Sequence, residues 1–242
     1  MKISVRDYGR MYRRHIAQLL KRQPGSAMSS AVGGNFESFG VLMKQILSGA
    51  GLRETDYLID VGCGSGRLAH VLSINRYLGT DVVPELLAHA RSLCPLPGWR
   101  FELVDDIVIP EADAVADMVC FFSVFTHLLH EDSYRYLLEA WRVLKPAGKV
   151  VFSFLEFRAP CTWPVFAHMV AARAAGTQMH HNQFLSRDAI EAWATRSGFR
   201  VEALFDGGVP HIPLTQPLTF DDGRTVEGCT NLGQSVCILR KP

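Results

Sequence analysis

Charge of one sign is what this chain has least of: 25 lysines and arginines stand against 24 aspartates and glutamates. A net charge of +1 provides no overall basic field to hold a nucleic-acid backbone, so any electrostatic preference must be local. No run approaches the roughly eighteen apolar residues of a membrane-spanning helix. The start, Met1-Lys2-Ile3-Ser4-Val5-Arg6, lacks the apolar stretch of a secretory signal. The cysteines, Cys63, Cys94, Cys120, Cys161, Cys229 and Cys237, show neither a C-x-x-C pair nor the Cys/His spacing of a zinc site. They read as small buried residues in a reducing compartment, with no metal expected. Repeats and low-complexity tracts are missing too. These absences lead to the expectation of a cytoplasmic protein with no nucleic-acid partner and no membrane span. With 242 residues, 48% of them apolar and 20% charged, the chain reads as one α/β domain with embellishments.

What the chain does carry is concentrated in Leu58-Ile59-Asp60-Val61-Gly62-Cys63-Gly64-Ser65-Gly66-Arg67-Leu68-Ala69. An apolar run ends in an acid, glycines follow at every second position, and an amphipathic pattern begins after them. The expected structure is a buried strand, a tight turn, and a helix from Arg67 to about Ser73. Glycine lets the backbone bend sharply and touch a ligand that any Cβ would hold off. A dinucleotide fingerprint would need a third glycine at position 67, where this chain has Arg67, which disfavours a dehydrogenase. The second strand, 76–80, ends at Asp81, where a carboxylate can accept from both ribose hydroxyls of a nucleoside; the plainer reading is a helix cap. Pro84 suits the first turn of the next helix. A third strand, 99–104, ends at Asp105-Asp106-Ile107. A fourth, 117–122, runs into Ser123 and on to His127, and strands follow at 150–155, 199–205 and 234–239.

The run D-x-G-x-G-x-G resembles the first motif of the class I S-adenosylmethionine-dependent methyltransferases, and Asp81-Val82-Val83-Pro84-Glu85 resembles their second. Leu144-Lys145-Pro146-Ala147-Gly148 is similar to the family's L-K-P-G-G turn, with Ala147 in place of a glycine. The resemblance implies a doubly wound Rossmann-like α/β sheet of about seven strands, the last antiparallel. It implies S-adenosyl-L-methionine as cofactor, with Asp60, Gly62, Cys63, Gly64 and Gly66 under its methionine end and Asp81 and Val82 at the ribose. Asp105, preferred over Asp106, would accept from the adenine 6-amino group, and the backbone through Ile107 would meet the ring. Phe122 and Ser123 complete the expected cofactor set. G-G-N-F-E before the core, S-V-F-T-H-L within it and G-Q-S-V-C-I-L-R-K-P at the end look like bacterial methyltransferases of glycan and secondary-metabolite pathways. The implied function is methyl transfer to an oxygen of a small-molecule or sugar-containing acceptor. The alternatives are N-methylation of a small molecule and a non-catalytic donor-binding regulatory module.

Residues 1–50 are expected as an N-terminal helical lid segment ahead of a core at 51–242, with insertions at about 156–185 and 207–232. Tyr8, Met11, Tyr12, Ile16, Leu19 and Leu20 recur at helical spacing among Arg6, Arg10, Arg13, Arg14, Lys21 and Arg22. Such a basic amphipathic helix is a packed helix with a solvated face, a lid that attracts an acidic acceptor, or a surface for anionic lipid. The small, polar stretch Ser29 to Gly34 is expected as a mobile connector. Thr162 is placed to cap a helix with Pro164 in its first turn. A hydroxyl nucleophile must lose a proton, so a base is needed for O-methylation and optional for a neutral amine. The candidate general bases are His127 and His180, with Glu156 and His181 also at the expected mouth of the site. His127 also reads as a structural histidine.

Overall fold

The computed structural model describes residues 5–177 and 182–242. The apolar run before the glycines forms β1 (Tyr57–Val61), buried at every position because it lies at the centre of a parallel sheet covered on both faces. It pairs in parallel with β2 (Arg76–Asp81) on one side and β4 (Ala116–Phe121) on the other. β3 (Trp99–Leu103) extends the sheet beyond β2, and β5 (Leu144–Phe154) extends it beyond β4. β6 (Arg200–Phe205) is the far edge. After β6 the chain makes four two-residue strands, β7 (Ile212–Pro213), β8 (Leu218–Thr219), β9 (Thr225–Val226) and β10 (Cys229–Thr230), which form two small antiparallel pairs outside the main sheet. β11 (Ser235–Arg240) then inserts antiparallel between β5 and β6, giving the order β3-β2-β1-β4-β5-β11-β6. This is the seven-stranded Rossmann-like sheet with an antiparallel last strand that the sequence led us to expect.

Side chains alternate across this sheet with period two. Tyr57, Ile59 and Val61 join a core with α5 (His130–Val143) and α7 (Arg187–Ser197), while Leu58 faces a second core built on α3 (Phe36–Gly49) and α4 (Pro84–Leu93). Each fully buried leucine in these layers, such as Leu42 or Leu47, contributes about 2 to 5 kcal/mol as judged by truncation to alanine. α1 (Val5–Arg22) lies over the carboxyl edge of the sheet, and Ile16 packs with Val83 and Leu86.

Four local expectations are corrected. The helix expected from Arg67 to Ser73 is a single 3₁₀ turn, Ala69–Val71. Only residues 62–75 join β1 to β2, close to the dozen or so that a parallel crossover needs, and the glycine turn uses the first of them. The stretch expected as a mobile connector, 29–34, begins inside α2 (Ala27–Ala31) and closes in a turn where the Gly34 N–H donates to the Ser29 carbonyl at 2.9 Å. The turn at 144–149 lies inside β5: Leu144 pairs with Ala116, the chain bulges, and pairing resumes at Lys149 opposite Met118. Thr162 does precede α6 (Trp163–Ala174), but its hydroxyl donates backwards to the Glu156 and Ala159 carbonyls instead of capping the helix.

Candidate functional site

A cavity of about 590 Å³ opens where β1, β2, β4 and β5 end and β11 begins. Its floor is the glycine turn. Gly62 (φ +74°) and Gly64 (φ +58°) adopt left-handed backbone that side chains disfavour. A Cβ at Gly62 would stand 2.5 Å from Val124 Cγ2, and one at Gly64 would stand 2.7 Å from Val32 Cγ1. The N–H groups of Gly62 and Cys63 both donate to the Thr80 carbonyl, at 2.7 and 2.9 Å, which ties the turn to the end of β2.

Asp81 joins the turn to the next helix. One carboxylate oxygen accepts from the Gly64 N–H and the other from the Val83 N–H, each at 2.9 Å. The side chain lines the cavity, and burial pushes its pKa up to about 6 despite those bonds. The cap reading is therefore satisfied in part by the Val83 bond, while a carboxylate's remaining lone pairs can serve a ligand. Asp60 is 3% exposed and faces away from the main cavity, accepting from the Tyr77 hydroxyl at 2.8 Å and contacting Cys120 Sγ at 3.4 Å. Desolvation pushes it up to about 6 as well. With Cys63, Gly62, Gly64 and Arg67 it borders a cleft of about 30 Å³ under the turn. Val82, Phe122 and Ser123 line the main cavity, as does Ile107; Asp105 and Asp106 are exposed beside it, and Asp106 accepts from the Ile107 N–H at 2.7 Å.

His127 lines the cavity with its ring edge-on to Tyr12, centroids 5.6 Å apart. His180 and His181 lie outside the described residues. Glu156 is corrected as a candidate base: it is 1% exposed and held by Arg187 at 2.9 and 3.0 Å and by the Ser235 hydroxyl at 2.9 Å. Arg187 also pairs with Asp206. This network stitches α7, β6 and β11 to the end of β5 and does not reach the cavity.

Several lining residues were not foreseen. Tyr8 and Tyr12 of α1 form the roof; the Tyr8 hydroxyl donates to Asp132 at 3.3 Å and accepts from the Leu129 N–H at 3.1 Å. Burial drives the Tyr12 phenol well above its ordinary pKa. Their helical spacing was visible, but not the face they would cover. Gln234 reaches the site because β11 runs antiparallel, so its first residues arrive at the edge where the parallel strands finish. Its carboxamide meets the Ser123 hydroxyl at 3.0 Å, and Ser123 is itself left-handed (φ +58°) with its N–H bonded to the Ser153 hydroxyl at 2.8 Å. The antiparallel last strand was the available signal for Gln234. Arg10, Arg13, Arg14, Lys21 and Arg22 are exposed on α1, with Arg13 paired to Glu85 at 3.3 Å.

Residues 59–152 match the family model described as a methyltransferase domain. Among curated proteins, the chain is 30% identical over 149 residues to a malonyl-[acyl-carrier protein] O-methyltransferase of Hahella chejuensis, covering 60% of this chain and 51% of that protein. The chain thus spans about half the length of this relative. Among solved structures, a S-adenosylmethionine-dependent methyltransferase of Thermotoga maritima superposes with a TM-score of 0.62 at 16% identity, covering 96% of this chain and 99% of that one. The magnesium protoporphyrin IX methyltransferase of Synechocystis, solved with bound S-adenosylhomocysteine, gives 0.57 at 15% identity, covering 84% of each chain.

Proposed function

We propose that this chain, whose core is that of the class I S-adenosylmethionine-dependent methyltransferases, transfers a methyl group from S-adenosyl-L-methionine to an oxygen of a small-molecule or sugar-containing acceptor. The observation that carries the reading is the cradle: two left-handed glycines, whose Cβ positions are blocked, beside a buried carboxylate at the end of the next strand. These residues fit an adenosyl donor. Asp81 would accept from the ribose hydroxyls, Val82 and Ile107 would flank the adenine with Asp105 and Asp106 at its rim, and Gly62, Cys63 and Gly64 would lie under the amino-acid end. Phe122 and Ser123 would face the sulfur. The donor supplies a methyl group already activated on a sulfonium.

What remains for the protein is alignment, exclusion of water and removal of one proton. The acceptor oxygen attacks the methyl carbon as the carbon–sulfur bond breaks, the bonding pair stays on sulfur, and the hydroxyl proton passes to a base. His127 is the described side chain best placed to take it. Tyr8 and Tyr12 would act as the lid that residues 1–50 were expected to provide. Among the described residues, those on the acceptor side of the cavity, Ser123, Thr126, Leu155, Val165, Asn182 and Gln234, are uncharged. Together with the outward-facing arginines of α1, this favours an uncharged reacting end over the acidic acceptor a basic lid suggested. The name of the Hahella relative supports oxygen as the accepting atom.

Titration calorimetry with S-adenosylmethionine and its demethylated product tests the donor, and absence of heat with both would end the reading. Radiolabelled donor with cell extract then tests transfer. His127→Ala should lower turnover on a responsive extract fraction by a hundredfold or more while donor affinity stays within about twofold. Full turnover in that variant would leave alignment alone as the mechanism.

A further inference from the structure

α6 is apolar on every side and buried on none. Apart from His168 and Arg173 its twelve residues are apolar, and not one of them is buried, whereas a helix that is hydrophobic all round is ordinarily enclosed. The inner side is accounted for: Val165 lines the cavity, and the Phe166 ring packs against Phe157 and Phe184. The outer side carries Trp163, Ala167, Val170, Ala171 and Ala174 at helical spacing, all exposed, Trp163 by 54% and Val170 by 55%. The chain's charge is sorted in the same way. Segments 1–35 and 157–185, which contain α1 and α6, hold nine of the 25 lysines and arginines but one of the 24 acids, Asp7, so they carry +8 and the rest of the chain −7. Tyr8 and Tyr12 of α1 line the same cavity as Val165, so both helices border its mouth at the carboxyl edge of the sheet. The exposed cations of α1 are joined there by Arg158 and Arg173, exposed beside and on α6.

We propose that α1 and α6 together dock on an anionic lipid surface, α6 lying in the boundary between headgroups and acyl chains and the cations of α1 resting on the headgroups, so that the cavity's mouth opens towards the bilayer. An interfacial helix of this kind needs an apolar face, and cations beside it add attraction to anionic lipid; a tryptophan such as Trp163 suits the headgroup level. Twelve residues of helix extend about 18 Å, too short to span an apolar core of about 30 Å, so α6 lies on the membrane and does not cross it. Among the described residues no helix is long and apolar enough to cross. Charge decides against the other occupants. A second copy would bring two strongly basic faces together, and a nucleic acid would answer the cations but leave the apolar stripe in water.

Co-sedimentation of the full chain with vesicles tests this without donor or acceptor, so its outcome is separate from that of the methyl-transfer reading. Vesicles of equal parts phosphatidylserine and phosphatidylcholine should be bound at least tenfold more tightly than pure phosphatidylcholine, and rising salt should weaken the binding. Trp163→Glu should weaken it tenfold or more, while Leu138→Glu, the same kind of change at an exposed position of α5, should stay within twofold of wild type. Arg14→Gln/Lys21→Gln/Arg22→Gln should cost about a hundredfold, about fivefold for each cation near the surface. Failure to bind either vesicle, equal binding to both, or equal losses in the two glutamate variants would overturn the assignment. Retention of a homopolymeric RNA in place of vesicles would give the cations to nucleic acid, and a dimer in sedimentation that Trp163→Glu dissolves, again in place of vesicle binding, would give the stripe to a second copy; either result overturns it as well.

Discussion

Asp81 shows how one side chain serves both the fold and the site. Its two backbone bonds hold the turn against the start of α4, and its burial raises its pKa to about 6. Ribose hydroxyls donating to the charged form would favour ionisation, each such bond contributing about 1.5 to 3 kcal/mol. At pH 7 Asp81→Asn should therefore bind S-adenosylhomocysteine tenfold or more weakly, and the gap to wild type should close as pH falls from 7 towards 5. A gap independent of pH would remove Asp81 from the ribose site. Ala147 offers a second test at this scale. It stands where the resembling turn has glycine and is left-handed (φ +65°), a conformation that costs a side chain about 1 to 2 kcal/mol. The extra unfolded-state freedom of glycine offsets about 0.4 to 1 kcal/mol of that. Ala147→Gly should thus stabilise the protein by up to about 1.6 kcal/mol in urea denaturation, although replacement by glycine ordinarily destabilises.

Among the elements, the join of α7, β6 and β11 to the end of β5 depends on one buried ion pair. Glu156 is 1% exposed, and Arg187 neutralises it while also holding Asp206. Removing one partner from a buried pair leaves an uncompensated charge and costs about 3 to 5 kcal/mol, whereas replacing both costs far less. Arg187→Met should lower stability by that amount, and the double variant Glu156→Gln/Arg187→Met should regain most of it. Equal losses in the single and double variants would show that packing, and not charge, holds this join. The network also explains why Glu156 is unavailable as a base: its position in the chain placed it at the mouth of the site, but the return of β11 brought Ser235 to it and α7 brought Arg187.

For the molecule as a whole, the cradle is a liability until it is filled. Asp60 and Asp81 both have pKa values raised from 3.8 to about 6 by burial. A raised carboxyl contributes stability that is fully present below about pH 4 and is lost as pH rises through about 6, with a slope of up to about 1.4 kcal/mol per pH unit for each proton. Asp60→Asn, which retains an acceptor for the Tyr77 hydroxyl, should therefore gain stability relative to the ligand-free wild type as pH is raised from 4 to 7. Chemical denaturation of both proteins at pH 4, 5.5 and 7 gives the difference directly. A difference constant across that range would show that Asp60 is not protonated near pH 6 in the folded state.

The local chemistry of the turn was legible in the sequence because it is dictated by neighbours: three glycines in alternation permit left-handed backbone and close approach, and an apolar run on either side fixes a buried strand. The strands, and the positions of Asp60 and Asp81 at strand ends, followed from the same short-range rules, whereas the antiparallel last strand was expected from the family resemblance. What could not be read locally was where long-range folding would bring other parts of the chain. The crossover between β1 and β2 proved too short for a helix, a limit set by the distance the chain must return. α2 and Tyr8 and Tyr12 of α1 came to lie over the cavity, and Gln234 entered it by the reversed direction of β11. Arg67 was visible only as a departure from a glycine pattern; that its guanidinium lies over the Phe39 ring and bonds the Gly34 carbonyl is a property of its three-dimensional surroundings, which the local sequence does not fix.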